Sequence, residues 1–115
     1  MKSLMIASSL LALVAAPAFA QGSIGTMERG AYACELPGTA AGSAGIAQPD
    51  MAFTIIGASR YQSPQGGGTY LRRGDVMTLT SGPRLGESYA VVSPGFLRKI
   101  EAGKPGKMRC VRRST

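Results

Sequence analysis

The sequence is poor in the residue types on which most enzymes depend. It contains no histidine and no tryptophan, only two cysteines, and six carboxylates that stand singly along its 115 residues. Histidine is the side chain used most often for proton transfer near neutral pH, and zinc sites are built mainly from clustered Cys and His. The lysines beyond residue 21 are confined to the C-terminal part, which disfavours a Ser–Lys nucleophilic pair in a dry pocket. We therefore predict a protein that is not an enzyme and holds no metal or cofactor.

The N-terminus has the three parts of a secretory signal peptide. Lys2 supplies the positive charge, residues 4–16 the apolar run, and Ala18-Phe19-Ala20 the small-x-small cleavage site. A membrane-spanning helix needs about 20 apolar residues, whereas this run is shorter and is followed by Pro17. We expect a signal peptide at residues 1–20, a periplasmic or secreted product, and no transmembrane helix after cleavage.

The two cysteines are predicted to form a disulfide. Cys34 and Cys110 are an even pair in a small exported chain, and cysteines in that setting are usually oxidised. A redox or nucleophilic thiol would favour a Cys-x-x-Cys motif or a neighbouring histidine, and the sequence has neither. In the chain-entropy account, closing a loop of this length stabilises the fold by about 4 to 4.5 kcal/mol.

Short runs of alternating apolar and polar residues, separated by Gly and Pro, follow the signal peptide. A period of two is typical of antiparallel strands with one buried face, and no amphipathic helical repeat competes with it. Gly74 is expected to take a positive φ in a tight hairpin. The predicted strands are 31–36, 51–58, 69–73, 76–80, 88–92, 96–101 and 107–112.

Because the cysteines fall on the first and last predicted strands, their disulfide would join the two ends of the chain's meander. This favours an all-β fold, a small antiparallel barrel or sandwich of about six to eight short strands closed by one disulfide. We expect a flexible N-terminal segment over 21–29, a β-domain over 30–115 with a basic C-terminal strand and tail, and a mobile loop over 37–50. The predicted core or half-buried residues are Tyr32, Phe53, Ile55, Tyr61, Tyr70, Leu79, Tyr89, Val91, Phe96 and Ile100.

Positive charge is concentrated near the C-terminus. From residue 98 onward there are seven basic side chains against Glu101 alone. Such a cluster would attract anionic lipid headgroups, acidic polysaccharide or nucleic acid. Alternatively, it is a solvated edge strand and tail, because Lys and Arg blunt exposed sheet edges. The cluster consists of Arg98, Lys99, Lys104, Lys107, Arg109, Arg112 and Arg113.

Several segments resemble a group of small exported proteobacterial proteins of unknown function. The similar segments are GAYACELPG at 30–38, ASRY at 58–61, GTYLRRGD at 68–75, TSGP at 80–83 and MRC at 108–110. Some members of this group bear the label elongation factor P. That factor presents a lysine in a Pro-Gly-Lys-Gly loop of an N-terminal barrel, whereas the similar Lys104-Pro105-Gly106-Lys107 lies near the C-terminus of an exported chain. A translation factor is therefore disfavoured.

A second resemblance is to the C-type lysozyme inhibitors of the bacterial envelope, which are small disulfide-closed β-barrels. Ala58-Ser59-Arg60-Tyr61 is similar to their Ala-Arg-Tyr-like strand, and Arg73-Gly74-Asp75 to their Lys-Gly-Asp-like hairpin. The resemblance implies a protein-binding module in which Arg60, Tyr61 and Arg73 contact the partner. A basic inhibitor would be repelled by a basic lysozyme unless charge is arranged locally, so the resemblance bears more on fold than on function.

Two functional hypotheses follow. The leading hypothesis is that a monomeric exported β-domain binds an anionic lipid or polysaccharide of the envelope through its basic C-terminal strip. The alternative is a protein-binding or inhibitor-like module acting through Arg60, Tyr61 and Arg73. We expect no nucleic-acid partner.

Overall fold

The computed structural model describes residues 23–38 and 45–114. The predicted signal peptide and positions 39–44 of the predicted mobile loop lie outside the described residues. Within the described ranges, the chain forms ten antiparallel strands and one short 3-10 helix at Pro49–Met51. The strands are β1 (Ile24–Gly25), β2 (Gly30–Leu36), β3 (Ile46–Ala47), β4 (Phe53–Ile55), β5 (Arg60–Ser63), β6 (Gly66–Arg73), β7 (Val76–Leu79), β8 (Ser88–Ser93), β9 (Phe96–Glu101) and β10 (Lys104–Ser114).

Eight of these strands close into a barrel. Their order around the ring is β6-β5-β4-β2-β10-β9-β8-β7, and β7 pairs again with β6. The remaining two strands are additions: β1 pairs with the end of β6, and β3 with the end of β2. Cys34 and Cys110 face each other across the β2–β10 ladder and form the disulfide. The prediction of an all-β fold closed by one disulfide is confirmed, and the barrel is the form it takes.

Strand alternation puts a cluster of aromatic and sulfur-containing side chains inside the barrel. Predicted core residues Tyr32, Phe53, Tyr61 and Tyr89 are almost fully buried, and the Phe53 ring lies 5.1 Å from that of Tyr32 and 5.4 Å from that of Tyr89. Phe96 and Ile100 are only half-buried. Buried residues absent from the prediction are Met27, Met77, Leu97 and Met108.

Three strand predictions differ from the structure. The last strand, predicted over 107–112, is longer and runs as β10 over Lys104–Ser114. The predicted strand 51–58 is shorter, because the 3-10 helix, with proline in its first turn, occupies Pro49–Met51 and the strand ends at Ile55. Residues 59–68, which lie between the predicted strands 51–58 and 69–73, instead contain a hairpin, in which β5 runs from Arg60 to Ser63 and β6 starts at Gly66. Glycine has low strand propensity, but here ladder partners in β5 compensate for it.

The segment before Gly30 belongs to the packed unit. Ile24 and Gly25 pair with Arg73 and Arg72 of β6. Met27 is 5% exposed, and its backbone N–H donates to the Tyr70 hydroxyl at 2.9 Å. The structure therefore places residues 24–27 against the barrel, upstream of the predicted domain boundary.

The two ends of the barrel differ in what covers them. At one end, here called the loop end, lie residues 37–38 and 45–52 between β2 and β4, and the β5–β6, β7–β8 and β9–β10 turns. At the other, here called the terminal end, lie residues 23–29, the β4–β5, β6–β7 and β8–β9 turns, and the end of β10. Gly74 turns the β6–β7 hairpin with φ +56°, as the sequence predicted.

Candidate functional site

A buried arginine closes the loop end of the barrel. Arg84, in the β7–β8 connection, is 5% exposed and is the one buried charged residue in the described part of the chain. Its guanidinium donates to the carbonyls of Ala52 and Met51 at 2.9 and 3.0 Å, to the Tyr89 hydroxyl at 2.7 Å, and to Glu87 Oε1 at 3.0 Å. The Tyr89 hydroxyl also donates to Glu87 Oε1, at 2.9 Å.

The surroundings of Arg84 and Tyr89 shift the pKa of both side chains. Burial alone lowers the pKa of Arg84, but the hydrogen bond and charge of Glu87, together with Tyr89, raise it overall. Burial raises the pKa of Tyr89 well above its usual value. Arg84 therefore stays charged and Tyr89 neutral, with all of their polar atoms matched. These matched contacts connect two loops to the core, which is the signature of a structural plug.

The terminal end contains a cavity of about 390 Å³. Apolar side chains such as Met27, Val91 and Val92 line it, and the charged residues Glu28, Arg72 and Asp75 stand at its wall. Arg72 donates to the carbonyls of Gly74 at 2.8 Å and Thr26 at 3.0 Å. The guanidinium therefore ties the N-terminal segment to the β6–β7 hairpin.

Tyr32 also lines this cavity. Its hydroxyl donates to the Glu28 carbonyl at 2.8 Å. Burial and the charge of Glu28 raise the pKa of Tyr32 to about 12. A neutral phenol that already donates to a backbone carbonyl has a positioning role in the barrel wall, and it is not poised to accept a proton.

Four of the predicted basic residues lie on the outer surface of β9 and β10. Arg98 is directly opposite Arg109 in the β9–β10 ladder. Arg98 Nε donates to the Gly106 carbonyl at 3.0 Å. Arg109 donates from Nε and Nη2 to Glu35 Oε2, at 2.7 and 2.6 Å. The side chains of Arg113, 60% exposed and 3.9 Å from Glu35, and of exposed Lys107 complete this group.

The other three predicted basic residues point elsewhere. Lys99 is opposite buried Tyr89 and lies 3.9 Å from Glu101. Arg112 is opposite buried Tyr32, and its Nε donates to the Arg29 carbonyl at 2.5 Å. Lys104 is exposed at the start of β10, at the loop end. The seven residues predicted as one strip are therefore divided by strand alternation into different surroundings.

The strand register adds a residue that was not assigned to the basic strip. Arg73 pairs with Val76, Val76 with Ala90, Ala90 with Arg98, Arg98 with Arg109, and Arg109 with Glu35. Directly paired residues project to the same side of a sheet, so one row across β6 to β10 carries three arginines. We call the outer surface around Arg73, Arg98, Arg109 and Arg113 the cationic face.

The alternative protein-binding residues do not share one surface. Tyr61 is 1% exposed, and its hydroxyl donates to the Ser81 carbonyl at 2.9 Å. Its neighbour Arg60 is exposed, on the opposite face of β5, and Arg73 is exposed at the end of β6. Tyr61 is thus a core residue, and a partner could contact only the two arginines of that set.

Comparison with family models, with curated proteins and with solved structures finds no match for this chain. Among residues 23–38 and 45–114, no group of three or more acidic or cysteine side chains converges in a way that could hold a metal ion. None of the helices in those ranges is long and apolar enough to cross a membrane. Within the described residues, the cationic face is the candidate binding surface, and its arginines would suit an anionic ligand.

Proposed function

We propose that this protein is an exported, non-enzymatic domain that binds an anionic component of the bacterial envelope through the cationic face. The observation that carries the proposal is the direct opposition of Arg98 and Arg109 across two paired strands. Like charges placed directly opposite each other in a sheet are destabilising. Glu35 offsets the charge of Arg109, and a bound anion would offset that of Arg98.

The surroundings of the two arginines favour an anion as the missing partner. Arg109 is neutralised by Glu35, but Arg98 anchors only its Nε, on a neutral backbone carbonyl. The rest of the Arg98 guanidinium is available as a planar fork, which matches phosphate, sulfate and carboxylate groups well. Glu35 is the one carboxylate in the row from Arg73 to β2. The face therefore keeps an excess of positive charge.

The disulfide supports both the proposed export of the protein and the geometry of the cationic face. A Cys34–Cys110 bridge is typical of proteins in oxidising compartments, which fits a periplasmic or secreted protein. The bridge also links the two strands on which Glu35 and Arg109 stand, each one residue away from a bridged cysteine. The ion pair that orients Arg109 is thus held at a covalent cross-link.

Binding of the oxidised, exported protein to dextran sulfate, with neutral dextran beside it, tests this proposal. We expect binding to the sulfated polymer alone and a loss of affinity as salt rises, because exposed charges are screened within about 10 Å at 0.1 M salt. Arg98→Gln should weaken binding about fivefold, since one basic side chain near an anionic surface contributes about 1 kcal/mol. Arg60→Gln, which removes an exposed arginine outside the face, is the matched control.

Equal losses from the two substitutions would show that only net charge matters and would contradict a defined face. Absence of binding at low salt would overturn the proposal altogether. The protein-binding alternative has less support from the structure, because Tyr61 lies in the core.

A further inference from the structure

The cationic face also carries exposed aliphatic side chains. Ile24 is 64% exposed, Val76 40% and Val92 56%. Ile24 pairs with Arg73, and Arg73 pairs with Val76. The side chains of Ile24, Arg73 and Val76 therefore project from neighbouring strands to the same side of the sheet. Val92 stands at the register shift between Val91 and Ser93 of β8, at the rim of the terminal-end cavity, and β8 is the strand paired with β7.

Single exposed aliphatic residues are ordinary on protein surfaces and need no explanation. The difference here is their grouping with arginines. Of the seven large hydrophobic residues exposed in the described ranges, four lie at the terminal end. Ile24, Val76 and Val92 are on the Arg73 side of the barrel, and Ile56 is in the β4–β5 turn. Leu36 and Ile46, by contrast, are paired with each other in β2 and β3 at the loop end, and Leu85 lies in the β7–β8 connection.

The apolar character continues along the face toward β10. Phe96 of β9 pairs with Val111 of β10, and both are half-buried. They alternate along their strands with buried Leu97 and Cys110, so they share the outer surface with Arg98 and Arg109. Aliphatic, aromatic and arginine side chains are therefore interleaved around the outside of β6 to β10, five of the eight strands of the ring.

We propose that this face docks on the interfacial region of an anionic lipid bilayer. Ile24, Val76 and Val92 enter the boundary between headgroups and acyl chains, while Arg73 and Arg98 contact lipid phosphates. This inference rests on the proposed function and selects lipid over acidic polysaccharide. A polysaccharide presents no apolar phase for three exposed aliphatic side chains, whereas the bilayer interface accepts apolar area and basic charge together.

The local structure keeps these side chains in place for such docking. Although β1 has only two residues, Gly74 donates its N–H to the Ser23 carbonyl at 2.8 Å, and Arg72 donates to the Thr26 carbonyl. The side chain of Met27, which follows Thr26, is buried in the core. Ile24 is thereby held on the barrel wall beside Arg73, so little ordering of the chain is needed on contact with lipid.

The test compares vesicles of phosphatidylethanolamine and phosphatidylglycerol with vesicles of phosphatidylcholine alone. The double variant Ile24→Ser/Val92→Ser should partition roughly tenfold less into the anionic vesicles, since partition scales with the apolar area that enters the interface. Its binding to dextran sulfate should be unchanged. The matched control is Ile46→Ser/Leu85→Ser, which removes two aliphatic residues of similar exposure from the loop end and should bind vesicles like the parent.

Equal vesicle binding by the Ile24/Val92 variant and the parent, or an equal loss in the control variant, would overturn the inference. Binding to dextran sulfate without binding to anionic vesicles would overturn it while leaving the proposed function intact, and binding to neither would end both. Amide hydrogen exchange of the parent protein gives a readout independent of the variants. On anionic vesicles, exchange should slow in β1 and β8 and stay unchanged in the β7–β8 connection.

Discussion

Arg84 shows how a single residue can close one end of the barrel. Its guanidinium hydrogen-bonds two backbone carbonyls, a hydroxyl and a carboxylate, and its carbon centre lies 5.7 Å from the centre of the Phe53 ring. Burying a charge is costly unless its partners are complete. Here they are complete, because no buried side-chain nitrogen or oxygen in the described residues lacks a partner.

Replacing Arg84 by alanine should lower the free energy of unfolding by about 3 kcal/mol, because Glu87 and the carbonyls of Met51 and Ala52 would lose their donor. Urea unfolding followed by circular dichroism measures this change. Arg60→Ala is the control, since Arg60 is exposed and its loss should change stability by no more than about 0.5 kcal/mol. Similar unfolding midpoints for the two variants would contradict a structural role for the plug.

At the scale of the elements, the β5–β6 hairpin depends on a glycine that packs closely against the backbone of Ser81 and the ring of Tyr61. Gly68 is paired with Tyr61. A Cβ at Gly68 would stand 2.2 Å from the Ser81 carbonyl oxygen and 2.8 Å from the Tyr61 ring. The Tyr61 hydroxyl donates to that same carbonyl. Glycine is needed here for close approach of three segments, in addition to the hairpin flexibility that its neighbours Gly66 and Gly67 provide.

Gly68→Ala should therefore destabilise the protein by roughly 2 kcal/mol, because overpacking a site that backbone atoms bound usually costs 1–3 kcal/mol. Gly57→Ala is a matched control, since a Cβ at Gly57 meets nothing within 4 Å. Thermal unfolding of the two variants measures the difference. If Gly68→Ala melts with the parent, the hairpin can move away from Ser81 and the packing described here is not required.

At the scale of the whole molecule, the disulfide joins β2 and β10, which are the first and last strands of the ring in chain order. Cys34 and Cys110 are 76 residues apart, and both are buried. Their link ties β2 to β10 in addition to the ladder between these strands. A cross-link that closes so long a loop acts mainly by restricting the unfolded chain.

The double variant Cys34→Ser/Cys110→Ser should lose about 4.5 kcal/mol of stability, the chain-entropy value for a loop of this length. Urea titration of the variant and the oxidised parent gives the difference. Added reductant should lower the midpoint of the parent and leave that of the variant unchanged. A parent that keeps its midpoint under full reduction would show that the strand ladder alone closes the barrel.

The charge of the molecule is also unevenly distributed between the two ends. The terminal end and its adjoining strand ends hold six arginines against the carboxylates of Glu28 and Asp75. This places the positive field on the side where the exposed aliphatic residues of the cationic face lie. The arginines are Arg29, Arg60, Arg72, Arg73, Arg112 and Arg113.

The sequence by itself determined the class of fold. Alternation with a period of two marks strands whatever their partners, so most barrel strands, the aromatic core and the Gly74 turn could be predicted locally. A single pair of cysteines left only one possible bridge. The two-residue strands β1 and β3 were not predicted, because two residues are too few to show an alternating pattern. Strand β5 was not predicted, because Pro64 and the glycines that follow it are typical of a loop.

Only the tertiary structure decided which side chains meet. Local alternation does not say which strands are neighbours or in what register, since ladder hydrogen bonds join residues far apart in the chain. Arg98 and Arg109 could be assigned to a basic cluster from the sequence, but their direct opposition depends on hairpin register. The ion pair of Arg109 with Glu35 and the pairing of Ile24 with Arg73 depend on how distant strands come together as the barrel closes. Closure likewise buried Arg84, because its partners come from separate strands and loops that converge only in the folded protein.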